Sequence, residues 1–128
     1  MTHSKHLAAR GQGEVDYDFK EDTLFFKVKG REYLKSIEFD DVVVDIDHAG
    51  FITGVQIFGA SEIFGMDKDA LREVRQWEIM TKVEKNIVTL QVRFEVLKRN
   101  KIIKQGQSLI RESLSPLADS EVICKVEA

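Results

Sequence analysis

Residues 77–96, WEIMTKVEKNIVTLQVRFEV, decide the fold class of this chain. Trp77, Ile79, Thr81 and Val83 alternate with Glu78, Met80, Lys82 and Glu84. After Lys85-Asn86 the alternation resumes, with Val88, Leu90, Val92, Phe94 and Val96 on one side and Thr89, Gln91, Arg93 and Glu95 on the other. Side chains of a strand point to opposite faces in turn, so one apolar set at a period of two marks a strand half-buried against a core. A two-residue break between two such runs marks a hairpin.

The same reading extends in both directions. Downstream, Arg99-Asn100 is a second hairpin turn, followed by a less regular strand over Ile102 to Glu112 that Gly106 weakens. Ser115-Pro116 marks a loop, and Val122, Cys124 and Val126 form a closing strand. Upstream, Val15, Tyr17 and Phe19 alternate with acidic and basic residues, and Lys20 to Thr23 is a tight turn. Leu24, Phe26 and Val28 continue the pattern up to Gly30. Ser36 to Phe39 is a short strand, Asp40-Asp41 a turn, and Val42 to Ile46 a β-branched central strand. Asp47-His48-Ala49-Gly50 is a hairpin loop returning through Phe51 to Phe58, with Gly50 in the left-handed position. A helix is expected only over Asp67 to Val74, with Asp67 as its N-cap.

The expected fold is therefore mainly β, on the border of α+β, with two antiparallel β-meanders joined by one short helix. Residues 1–13 read as a flexible leader, 14–74 as the first meander with its helix, and 75–128 as the second meander, packed with the first as one unit. A chain of 128 residues, 43% hydrophobic, suits such a single core.

Composition excludes several function classes. One cysteine, Cys124, excludes an internal disulfide and a cysteine-based zinc site, and suits a reducing compartment. No apolar run approaches the ~18 residues that span a bilayer, so a cytoplasmic protein with no membrane role is expected. A net charge of −3 opposes general nucleic-acid binding.

The first half resembles a known family. The resemblance is carried by Val15-Asp16-Tyr17-Asp18, Asp22-Thr23-Leu24-Phe25, Asp41 to Asp47, Gly50 to Ile57 and Ala60-Ser61. In that order and spacing they resemble the prokaryotic domain of unknown function 2283. Phe25 stands where the family prefers Tyr, and Gln56 where it prefers Glu. The resemblance spans about residues 15–74 and implies a β-meander with a trailing helix and no established chemistry. It also implies a partner-binding, antitoxin-like role, since some members are thought to sit beside toxin-like neighbours. Residues 75–128 carry no resemblance.

Candidate sites are few. Asp40, Asp41, Asp45 and Asp47 could hold a divalent cation, and Asp45-x-Asp47-x-x-Gly50 faintly echoes a calcium loop. Ala49 replaces a ligand of that loop and Gln56 its bidentate Glu, so turn-forming and solvated carboxylates are the plainer reading. His48 has no nucleophile signalled nearby, Ser61 lacks a nucleophile-elbow pattern, and Cys124 alternates inward with valines. No catalytic residue and no cofactor are expected.

Charge is asymmetric along the chain. Residues 14–47 hold five basic and eleven acidic side chains, whereas residues 75–111 hold nine basic and three acidic ones. Arg93, Lys98, Arg99, Lys101 and Lys104 cluster around one hairpin as a candidate interaction surface. Trp77 and Phe94 fall on the apolar side, which removes them as stacking platforms for nucleic acid. The reading that follows is a non-enzymatic β-module for contact with a protein partner or with itself as a homo-oligomer. An antitoxin-like regulatory partner and metal or ligand binding at the acidic patch are the alternatives.

Overall fold

The computed structural model describes residues 5–8, 13–28, 30 and 32–127, with side chains from 13–28, 30, 32–96 and 99–126. The strands are β1 (Lys5–Ala8), β2 (Gly13–Asp18), β3 (Thr23–Val28), β4 (Lys35–Glu38), β5 (Val42–Ile46) and β6 (Ile52–Phe58). Helices α1 (Ala60–Phe64) and α2 (Lys68–Arg72) follow, then β7 (Val74–Glu84), β8 (Ile87–Lys98), β9 (Lys101–Glu112) and β10 (Ser120–Glu127).

Two five-stranded sheets result, in the orders β2-β3-β6-β5-β4 and β1-β10-β7-β8-β9. All pairings are antiparallel except β1 with β10. The mainly-β class and the two antiparallel sheets agree with the sequence reading, but neither sheet is a plain meander. In the first, the chain leaves the β2–β3 hairpin for the far edge and returns through β4 and β5, so that β6 lies beside β3. In the second, β10 returns past β8 and β9 to lie beside β7. Both are Greek-key arrangements. Burial explains the first: Ile52 to Val55 of β6 are all buried, as a central strand requires, while β4 is largely exposed and takes the edge.

The inward-facing rows of both sheets form one apolar core. Leu24, Phe26, Val44, Val55 and Ile57 contribute from the first sheet, and Trp77, Ile79, Leu90, Val92, Phe94 and Val122 from the second. Gly13 marks one close approach between the sheets. A Cβ there would lie 2.5 Å from Cys124 Sγ and 2.9 Å from Phe26 Cε2. Residues 1–13, expected as a leader, thus supply both β1 and the first residue of β2.

The connection between the sheets holds the short helix expected over Asp67 to Val74, formed as α2, and a second one, α1, before it. Five-residue α1 lies between Gly59 and Gly65, both left-handed at φ 66° and 63°. Five residues are too few to show a 3.6-residue period, so α1 leaves no helical signal in the sequence. Ala60 is fully buried, and Phe64 packs edge-on against Phe94 with ring centroids 5.4 Å apart. Helix α2 ends at Arg72, so Val74 opens β7; Asp67 holds the N-cap position but makes no side-chain capping bond. Arg72 lies 4.6 Å over the ring of Phe19, which sits in the β2–β3 turn rather than continuing β2.

Both long hairpins turn as expected. Lys85-Asn86 and Arg99-Asn100 each have two consecutive positive φ angles, 50° and 65° then 51° and 63°. That is the type I′ turn, whose twist matches that of the flanking strands. Asn86 also anchors the β9–β10 connection, accepting from Leu117 N at 2.9 Å through Oδ1 and from Ser113 N at 2.8 Å through its carbonyl.

One polar atom in this core is unsatisfied. Thr81 Oγ1 is buried in β7 between Val122 and Leu90 with no hydrogen-bond partner among the described residues. Replacing it with a methyl group of similar shape removes a desolvation penalty. Thr81→Val should therefore raise unfolding free energy by about 1 kcal/mol in a denaturant titration, with an unchanged m-value.

Candidate functional site

The best-organised polar cluster centres on Asp22. This residue closes the β2–β3 turn with φ 52°, a left-handed conformation that Asp tolerates better than most side chains. Its carboxylate reaches across to the start of α1. Ser61 Oγ donates to Oδ2 at 2.6 Å, Ser61 N donates to Oδ1 at 3.0 Å, and Tyr17 Oη donates to Oδ1 at 2.5 Å. The backbone joins in, with Ala60 N donating to the Asp22 carbonyl at 3.0 Å. Four donors thus converge on one residue and clasp the first hairpin to the chain leaving β6.

Electrostatics follow from this geometry. Partial burial pushes the Asp22 carboxyl up, but the Ser61 hydroxyl, the Tyr17 hydroxyl, the Ser61 amide and the Lys68 charge outweigh it and hold it below its ordinary value. Tyr17 is driven well above the usual phenol range, first by burial, then by its bond to Asp22 and the charges of Asp22 and Asp18. The phenol therefore stays a protonated donor, and the carboxylate a charged acceptor, around neutral pH.

The four carboxylates put forward as a metal patch do not converge. Asp47 Oδ1 accepts from Ala49 N at 2.9 Å and Phe51 N at 3.0 Å, which shapes the β5–β6 turn. Asp45 Oδ1 accepts from Ser36 Oγ at 2.6 Å, and its other oxygen occupies the space that a side chain at residue 54 would fill, 2.7 Å from a Cβ there. Asp41 receives Arg111 of β9 in a bidentate pair, Nη2 to Oδ2 at 2.6 Å and Nε to Oδ1 at 3.2 Å. Asp40 is exposed beside it. Among the described residues, no three His, Cys, Asp or Glu side chains are placed to hold a metal ion.

The basic hairpin is partly neutralised by its own neighbours. Arg93 faces Glu78 at 4.0 Å, Lys125 faces Glu78 at 3.5 Å, and Lys104 faces Glu95 at 3.6 Å. Arg99 sits in the turn and Lys101 is exposed, while the side chain of Lys98 lies outside the described residues. His48 is exposed in its turn, and Cys124 is wholly buried.

Residues 14–61 match the family described as protein of unknown function (DUF2283), from the second residue of β2 to the serine of the Asp22 clasp. The chain belongs to this family. It is 34% identical over 95 residues to an uncharacterized protein of Methanocaldococcus jannaschii, covering 73% of this chain and 82% of the relative. It is 33% identical over 93 residues to a putative hypoxanthine phosphoribosyltransferase of Methanosarcina mazei, covering 73% of this chain and 76% of the relative. No solved structure matches the chain significantly. Alignments of that length cannot fit within residues 1–61, so the likeness of these two relatives runs into the second sheet.

The geometry accounts for much of the DUF2283 resemblance in structural terms. Tyr17, Asp22 and Ser61 build the clasp, Asp47 the turn, and Gly54 the space that Asp45 occupies. Sequence reading missed the clasp because Asp22 looked like one more acidic residue, 39 positions from its serine. The signal available was the joint presence of Tyr17, Asp22 and Ser61 in the resemblance.

The depressed carboxyl of Asp22 stabilises the folded chain fully above the ordinary Asp value near pH 4, and this contribution is lost as pH falls through the folded-state value. Asp22→Asn should cost about 1–2 kcal/mol at pH 7. It should also flatten the loss of stability below about pH 4, as thermal unfolding across a pH series would show.

Proposed function

We propose that this protein is a non-enzymatic contact module that self-associates through the free edge of β9. The supporting observation is the state of that strand. Among the described residues its one neighbour is β8, and eight consecutive residues, Lys101 to Ser108, are exposed. Ile102 and Ile110 on it are 66% and 61% exposed. An edge strand of such length carrying apolar side chains favours pairing with another strand.

The register identifies which backbone groups are offered. Lys98 pairs with Lys101 across the two-residue Arg99-Asn100 turn. The residues flanking such a turn exchange both hydrogen bonds, so Lys101 and every second residue after it point their N–H and C=O toward β8. Ile102, Lys104, Gly106, Ser108 and Ile110 therefore direct theirs to the open edge. Main-chain groups in a row give a pairing strand its affinity, and side chains give it register.

The name of the Methanosarcina mazei relative offers an enzymatic reading instead. A phosphoribosyl donor calls for uncompensated positive charge. One concavity, of about 520 Å³, places Arg93, Lys104 and Lys125 against Glu78 and Glu95. That balance favours protein contact over capture of a phosphate.

Ser108→Pro tests the contact reading. Its N–H faces the open edge, where proline leaves the β8 ladder intact but removes a donor and adds bulk. Light scattering across concentrations should show an associated species for the parent and a single chain for the variant, with matching circular dichroism. Association undiminished by the proline would place the contact elsewhere.

A further inference from the structure

We infer that the occupant of the β9 edge is a second copy of this chain, paired antiparallel about a two-fold axis at Gly106; this rests on the contact reading above. Three independent features of β9 point to that centre.

The first is the glycine. Gly106 lies inside a twelve-residue strand whose pairing with β8 runs without a register shift. It has no positive φ, and a Cβ there would meet Arg93 Cγ and the Val92 carbonyl at 3.5 Å, an ordinary contact. Nothing among the described residues requires glycine, although glycine weakens a strand interior. The remaining use of such a residue is close approach of another backbone.

The second is the placement of apolar side chains. Leu109 is buried toward the core, so the even-numbered residues of β9 face the opposite side. Ile102 and Ile110 both lie on that outer face, each four residues from Gly106. A two-fold axis perpendicular to the sheet keeps outer faces together, and centred on Gly106 it sets Ile102 opposite Ile110 of the second copy, twice over. Lys104 then meets Ser108, and no charged residue is opposed by one of like charge on that face.

The third is hydrogen-bond parity. The residues brought opposite one another, 102 with 110, 104 with 108 and 106 with itself, are those whose N–H and C=O face the open edge. The pairing therefore satisfies that row of backbone groups reciprocally and joins two five-stranded sheets into one. It uses the same edge on both copies, so assembly closes at two chains.

Residue pairs opposed in this way have Cα atoms about 5.5 Å apart, within disulfide range. We expect Lys104→Cys and Ser108→Cys variants, mixed in equal amounts and oxidised with diamide, to give a covalent dimer containing one of each. Neither variant alone should cross-link, because like positions lie four residues apart along the pair. Gly106→Val should weaken the dimer at least tenfold in sedimentation equilibrium while the folded monomer persists. Cross-links within a single variant would indicate another register or parallel pairing. Either result, or a dimer lacking the mixed cross-link, overturns this inference and leaves edge association standing. A single-chain mass at all concentrations overturns both.

Discussion

The Asp22 carboxylate fixes where the chain leaves the first sheet. Its oxygens bind the β2–β3 turn to Ser61, the second residue of α1, while the Asp22 carbonyl takes Ala60 N. The direction of α1 then sets Phe64 against Trp77 and Phe94, which lie at the start of β7 and the end of β8. A local hydrogen-bonded clasp thus becomes a constraint on how the second sheet begins. This gives Tyr17, Asp22 and Ser61 a shared structural role within the family pattern.

The two sheets are further tied at their margins by different means. Arg111 on β9 grips Asp41 between β4 and β5, a half-exposed bidentate pair that bridges the basic and acidic halves. Gly13 allows β2 to abut β10. Asn86 and Asp119 fold the β9–β10 connection onto the β7–β8 turn, with Lys85 N donating to Asp119 at 3.0 Å. The charge asymmetry along the sequence is therefore spent in part within the chain. The outer face of β7, β8 and β9 pairs its own cations and anions across neighbouring strands.

What stays open is an edge rather than a cavity. On β9, Ile102 lies on the outer face at 66% exposure, and Ile103 is 36% exposed although its partner in β8, Val96, is buried. The reading as a contact module follows from this geometry and from the absorption of the tempting acidic residues into turns and ion pairs.

Strand existence, both type I′ hairpins and the Asp47 turn were legible in the sequence, because each depends on alternation or on residues adjacent in the chain. The order of strands was not. Alternation reports which face of a strand is buried and says nothing of its neighbours, so two Greek keys read as two meanders. Helix α1 was hidden by its length, and β1 by the few residues of Lys5–Ala8, too short to show alternation. The clasp and the Arg111–Asp41 pair join residues 39 and 70 positions apart. By itself, the sequence determined the strands, turns and family of this protein, since periodicity and motif order are local properties. Only the tertiary structure decided which carboxylates were spoken for and which strands lie at sheet edges, because both depend on what the fold brings alongside.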